Sequence, residues 1–368
     1  MADSAITVQA CNRFADLKQA FPELFAARTG RELFYTPEWF ATLAEHGHTF
    51  EGRLQLIVAH ETRSGSVLCL PGIDGKHLTG LSNYYSGLYA PIAAQEPVGE
   101  EMYDALGQWI AAHPSRWPVI DFHPIDNDEP FFGRMQSALR NAGYWSDSYS
   151  CFGNWYHRTS GQTFAEYLAG RPTRLQNTIR RNTKKIQSAG QVEIEIHQQA
   201  GPALDAAIEN FASIYRQSWK PAESHPEFIA ELCKMAAAQG WLRLGILKLN
   251  SQAIAAQIWL TYGGKANIFK LAYTPENKPY SAGTLLTAEM MRQAIDIDRA
   301  DEIDYLCGDD AYKKDWMSER RERKGIVAFR PGTLGGLLAG SRHFIGKLKK
   351  RTAWNKFPGR QNNQAAHV

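Results

Sequence analysis

The chain has 368 residues, 44% of them hydrophobic and 21% charged, which predicts about two packed globular domains and excludes a disordered chain. The formal net charge is only +3, so bulk charge does not mark a nucleic-acid binder. The five cysteines (Cys11, Cys69, Cys151, Cys233, Cys307) have no metal-ligand or redox spacing. That predicts a reduced, cytosolic chain, and the opening MADSAITVQACNRF, with no basic n-region and no apolar h-region, is not expected to act as a secretory leader. No apolar run approaches the ~20 residues of a membrane span.

In chain order, TPEWFATLAEH predicts a helix with Thr36 as N-cap and Pro37 at its first position. RLQLIVAH and SVLCLPGI predict a hairpin around Arg63–Ser66. A helix follows at EEMYDALGQWIAAH, then a strand at WPVIDFH, then a helix at PFFGRMQSALRNAGY stopped by Gly143. The boundary is expected near Gly161. Beyond it, GQTFAEYLAGRPTRLQNTIRRNTKKIQ reads as two helices split by Pro172. VEIEIH alternates strictly, placing Val192, Ile194 and Ile196 on one strand face. A helix runs through ALDAAIENFASIYRQSW. WLRLGILKLN, QAIAAQIWLTY and KANIFKLAY are three consecutive strands, the first two joined at Asn250-Ser251. The loop TPENKPYSAG leads into the helix TLLTAEMMRQAIDI, and EIDYLC is a last strand before GDDAYKKDWM.

The segment from Lys270 to Ile295 carries the chemistry. A strand enters a Gly-containing loop that opens a helix, whose first N–H groups are unsatisfied and form the positive end of the dipole. Such an end binds phosphate. Ser281, Gly283 and Thr284 are small enough for a pyrophosphate to approach, and Lys278 adds a charge. The competing reading is a plain connection with Thr284 as N-cap.

The stretches YLAGRPTRLQNTIRRNTKKI, FASIYRQSWK, WLRLGILKLNSQAIAAQIWLTYGGKANIFKLAYTPENKPYSAGTLL and EIDYLCGDDAYKKDW resemble the GCN5-related N-acetyltransferase (GNAT) superfamily. Their wording resembles its FemAB-like, CelD-type branch, associated with cellulose and exopolysaccharide gene clusters; LFYTPEWF and NYYSGLYAPI look similar too. The resemblance implies an α/β (α+β) protein of two tandem GNAT-like lobes, each a mixed, mainly antiparallel sheet flanked by helices. Residues 1–160 would form a degenerate lobe, 161–330 the acetyltransferase lobe and 331–368 a basic, partly disordered tail. It implies acetyl-coenzyme A or another acyl-coenzyme A as donor, held by Lys278, Ser281, Ala282, Gly283 and Thr284. Of the usual phosphate signature only Gly283 matches. The implied acceptor is an amine or hydroxyl of a saccharide or envelope polysaccharide. The rivals are a Fem-like transferase using aminoacyl-tRNA and a non-catalytic subunit of polysaccharide assembly.

Acyl transfer needs a base for the acceptor proton and donors for the oxyanion and thiolate. Asp309 or Asp310 is the candidate base, Tyr312 the proton donor to the thiolate and Lys313 an anion stabiliser. The alternative has Asp309 capping the following helix. Trp219 and Lys220 would border the acceptor. Arg180 and Arg181, with Arg171, Arg174, Lys184 and Lys185, form a basic helical segment for an anionic saccharide, a lipid head group or tRNA, or simply a solvated face. None of the histidines, His46-Gly47-His48 included, sits in a metal motif, so no metal is expected. The tail GTLGGLLAGSRHFIGKLKKRTAW is rich in glycine for a helix. It is expected to pack on the C-terminal lobe or to lie on an anionic membrane surface, which would make the cytoplasmic protein peripheral to the inner membrane.

Overall fold

The computed structural model describes residues 6–356, except 27–29, 31, 48–50 and 114–116, with side chains through Leu348. His48 and the closing GRQNNQAAHV lie outside the described residues. In the first half the strands are β1 (Ile6–Cys11), β2 (Arg53–Glu61), β3 (Ser66–Asp74), β4 (Leu78–Gly80), β5 (Ile92–Ala93), β6 (Val119–Asp126) and β7 (Trp145–Arg158). In the second half they are β8 (Val192–His197), β9 (Leu242–Leu249), β10 (Gln252–Tyr262), β11 (Lys265–Tyr273), β12 (Glu302–Asp304) and β13 (Glu319–Phe329).

The fold is mixed α/β. Helices flank one mixed sheet ordered β1-β2-β3-β4-β6-β13-β7-β12-β11-β10-β9-β8, with β5 beside β3. Among the described strands only β4–β6 and β11–β12 pair in parallel. The predicted hairpin is the β2–β3 pair. The meander β9–β10–β11 turns through Asn250 and Ser251, both at positive φ (50° and 66°). The Thr36 hydroxyl accepts from the Trp39 N–H at 3.2 Å, as its N-cap position requires.

The halves are knitted at the seam. β13, from the second half, lies between β6 and β7 of the first, and β7 in turn pairs with β12. The interior here is ionic as well as apolar. Arg321 bonds Glu302 at 2.7 Å and Asp304 at 2.6 Å, and buried Arg323 pairs with Asp126 and lies 3.6 Å from Asp304. Nearby, Lys265 joins Glu32 to Glu302. An apolar contact adds to the seam, where the helices Pro37–His46 and Pro226–Ala238 meet with Trp39 against Phe228, ring centroids 5.9 Å apart.

The tail forms the helix Leu334–Lys356, which packs on β13 of the second half and on β6 of the first. Its glycines serve close approach: a Cβ at Gly340 would stand 3.1 Å from both Phe329 and Trp145. His343 and Lys347 fasten the helix to Asp147 at 2.9 and 2.6 Å.

Candidate active site

β11 and β12 are paired over only three residues, from Lys265↔Glu302 to Asn267↔Asp304. The register of β11 against β10 then skips Phe269, a bulge that bends the strand away just where it leaves β12. A cavity of about 850 Å³ opens in the splay, a size suited to a small-molecule ligand. Leu271 and Tyr273 of β11, Tyr305 beyond β12, and Gly283 and Thr284 at the start of the helix Ala282–Arg292 line it.

That helix start is built from below. Gln257 of β10 reaches up from the apolar sheet, its amide donating to Thr287 Oγ1 at 2.7 Å and to the Gly283 carbonyl at 3.1 Å. Its Oε1 accepts from Trp259 Nε1 at 2.8 Å. Ser281 takes the N-cap position in the left-handed region (φ 53°) without capping the helix, because its hydroxyl accepts from Asn182 Nδ2 at 2.8 Å. Thr284 therefore lies inside the first turn and is not the N-cap. With no side chain capping this end, its first N–H groups stay available to an anion in the cavity. Of the five residues expected to hold a donor, Gly283 and Thr284 line the cavity; Ser281 and buried Ala282 shape the turn, and Lys278 is exposed outside it. Asn182 and Lys185, which bonds the Pro279 carbonyl at 3.0 Å, clamp the loop to the helix Thr173–Ala189.

The other wall comes from the turn after β12. Asp304 accepts from the Leu306 N–H at 2.6 Å, and Asn154 Nδ2 donates to both Asp304 and the Leu306 carbonyl. These bonds hold Leu306 at φ 53°, a conformation that bulky side chains rarely adopt. Lys313, 4% exposed, folds back on the same turn. Its ammonium donates to the carbonyls of Cys307 and Gly308 and sits 3.2 Å from Asp310. Its donors thus fix the loop and are not free for an incoming anion. Asp309 points away: Arg320 grips it in bidentate fashion, the nearest nitrogen at 2.7 Å, and Trp155 Nε1 donates to it at 2.6 Å. It neither lines the cavity nor caps the short helix Lys313–Trp316, whose N-cap position is Tyr312. Asp310 and Tyr312 do line the cavity, and burial followed by the charge of Asp310 pushes the Tyr312 phenol well up.

A second cavity of about 240 Å³ adjoins the first, sharing Lys220, Leu271, Tyr305, Asp310 and Tyr312 with it. Tyr84 and Tyr85 of the first half wall its far side. Both phenols and the Lys270 ammonium donate to one carboxylate, Glu223. This knot pins the loop between two helices, Pro202–Gln217 and Pro226–Ala238, onto the first half. Trp219 stands against Tyr273, centroids 4.5 Å apart, and lines the larger cavity. Lys220 lies where the cavities meet and makes no ion pair among the described residues. Burial first, then the charges of Lys270 and Lys313, lower its pKa to about 8.

Arg180 and Arg181 do not reach either cavity. With Arg174 they border a surface hollow of about 420 Å³ that shares Arg174 and Thr178 with the larger cavity. Leu175, Asn182 and Ile186 form the buried side of their helix. Among the described residues no group of His, Cys, Asp and Glu is placed to hold a metal ion, and no helix is long and apolar enough to cross a membrane. The residues missed from sequence are Gln257, Thr287, Asp304, Glu223, Lys270 and the Tyr84-Tyr85 pair. Gln257 alone carried a signal, as a polar residue in an apolar run.

Residues 173–314 match the family model of a GNAT acetyltransferase domain. FemX aligns over 84% of this chain and 95% of its own at 12% identity, with a TM-score of 0.53. The C-terminal domain (DUF2156) assigned to a lysylphosphatidylglycerol synthetase of Agrobacterium fabrum aligns over 85% of this chain and 91% of its own, at 13% identity and a TM-score of 0.52. L-PGS from Bacillus licheniformis covers 84% of this chain and 96% of its own, at 10% identity and 0.51. At these identities the likeness is one of fold. No curated protein matches the sequence. Residues 173–314 match a GNAT domain, and the chain as a whole has a GNAT-like fold.

Proposed function

We propose that the protein is an acyl-coenzyme A-dependent acyltransferase, with acetyl as the acyl group and an amine or hydroxyl of a saccharide or exopolysaccharide precursor as acceptor. The observation that carries this reading is the cavity in the β11–β12 splay, closed at one end by an uncapped helix start at Gly283 and Thr284. The residues fit an anionic donor: free backbone N–H groups and small side chains stand at that end. Residues 161–330 would then be the catalytic lobe and 1–160 a degenerate lobe that lends Tyr84 and Tyr85 to the acceptor side.

When bound, the donor supplies a thioester for attack. Asp310 takes the proton of the acceptor nucleophile as its bond to the acyl carbon forms. The carbon–sulfur bond breaks, and Tyr312 returns a proton to the leaving thiolate. Lys220 holds an anionic group of the acceptor at the junction of the cavities, and Trp219 covers it. Asp309, Lys278 and Lys313 have no direct part in this scheme.

The experiment is thiol release from acetyl-coenzyme A against a panel of amino sugars and sugar nucleotides in the cytoplasmic range of pH. Asp310→Asn should lower turnover at least ~100-fold with donor affinity retained. An Asp310→Asn protein as active as wild type would remove the base from the scheme. A second reading, transfer from aminoacyl-tRNA, is favoured by the exposed arginines Arg174, Arg180 and Arg181 around a hollow that adjoins the larger cavity. It predicts tRNA binding that weakens steeply with salt and is lost in Arg180→Ala/Arg181→Ala.

A further inference from the structure

The helix Leu334–Lys356 has one side sealed against the sheet and another left bare. Gly340, His343 and Phe344 face Phe329, and Lys347 reaches Asp147. At about 100° per residue, positions 334, 338, 341, 345 and 348 fall within roughly 40° of one line on the far side. Four of the five are large and apolar, and all four are bare: Leu334 is 75% exposed, Leu338 62%, Ile345 52% and Leu348 63%. Leu337 beside them is 41% exposed. Elsewhere among the described residues exposed large hydrophobics are scattered singly, as is normal for a soluble surface.

The sequence of this segment carries formal charge of one sign. From Pro331 to Lys356 the sequence contains no Asp or Glu, while Arg342, Lys347, Lys349, Lys350, Arg351 and Lys356 supply six cations. The whole chain is balanced to within three charges, so the segment that carries the exposed stripe is also strongly basic in sequence. A soluble protein partner would satisfy the stripe alone. A bilayer bearing anionic head groups satisfies both, with apolar side chains entering the acyl boundary and cations staying among the phosphates.

We propose that this face lies flat on an anionic lipid surface and holds the protein there. The proposal does not depend on the donor or acceptor reading, since neither cavity includes a residue of this helix. Docking is peripheral: the helix is fixed to β13 and β6, so only the exposed stripe inserts.

The test is co-sedimentation of the full chain with phosphatidylcholine vesicles, with and without a phosphatidylglycerol fraction. The expected result is binding that requires phosphatidylglycerol and weakens with added salt. The triple variant Leu338→Ser/Ile345→Ser/Leu348→Ser changes only exposed positions and should melt as wild type does. Its partition should fall at least ~100-fold. Equal binding to both vesicle types, or a triple variant that binds as well as wild type, overturns the proposal. So does a wild-type dimer in solution that the triple variant makes monomeric, because a second copy would then be the occupant.

Discussion

Asp304→Asn tests whether the ionic seam holds the two halves together. Asp304 is 3% exposed and bonds Arg321 at 2.6 Å, Asn154 at 2.5 Å and the Leu306 N–H at 2.6 Å, with Arg323 at 3.6 Å. Burial alone would raise its pKa, but Arg321 and Arg323, with the two N–H donors, hold the carboxyl below the usual carboxylate range. Removing one partner of a buried pair costs about 3–5 kcal/mol. Here Arg321 keeps Glu302 and Arg323 keeps Asp126, which places the loss near 3 kcal/mol. For 368 residues the unfolding entropy is about 0.8 kcal/mol/K, so Tm should drop by about 4 °C. The pH dependence follows from the depressed pKa. The carboxylate's contribution is present above the unfolded value near ~3.9 and is lost as pH falls through the folded one. Urea melts of wild type and variant should therefore differ by a constant amount from neutral pH down to about 5, and converge below about 4. A gap under ~1 kcal/mol at neutral pH, typical of exposed pairs, or one that persists unchanged in acid, would refute the reasoning.

Two further outcomes follow. Lys220, with its pKa lowered to about 8, should be half-labelled by an amine-acylating reagent near that pH, against ~10.4 for an ordinary lysine; peptide mass mapping that gives Lys220 and exposed Lys278 the same profile would remove it as the special ammonium of the site. Burial, followed by the charges of Glu96 and Asp126, raises Glu129 to about 7, so the neutral acid favours the fold and that stability is lost as pH rises through about 7. Glu129→Gln should accordingly gain about 2 kcal/mol at pH ~8 and almost nothing at pH ~4; equal gains at both would contradict the buried-acid account.

The elements legible in the sequence are those whose interior is apolar. The β2–β3 hairpin and the β9–β10–β11 meander are runs of Leu, Ile, Val and Ala, closed by residues that tolerate a tight turn. β7 and β13 were not legible, although they are the centre of the sheet. Their inward positions include Asn154, Arg321 and Arg323, whose burial depends on partners up to 197 residues away, so no hydrophobic period marks them. The site divides for a similar reason. The helix start at Gly283 and Thr284 is a local feature that sequence can reach. Whether Asp309 or Asp310 enters the cavity depends on the turn at Leu306 (φ 53°) and Gly308 (φ 96°), which Lys313 holds from within the motif but which Asp304 and the distant Asn154 fix from outside it. The knot of Tyr84, Tyr85, Lys270 and Glu223 joins residues up to 139 apart and has no sequence pattern of its own.

Donor binding at the β11–β12 splay is measured most directly by calorimetric titration of the purified protein with acetyl-coenzyme A. A Cβ at Gly283 would stand 3.0 Å from the Tyr273 ring and otherwise at ordinary contact distance, so a side chain there needs only a small shift of that ring. Gly283→Glu also sets a negative charge at the helix start. The account predicts one saturable site in wild type, retained in Lys278→Ala and lost in a normally folded Gly283→Glu. No binding to a cooperatively melting wild type, or undiminished affinity in Gly283→Glu, would contradict it.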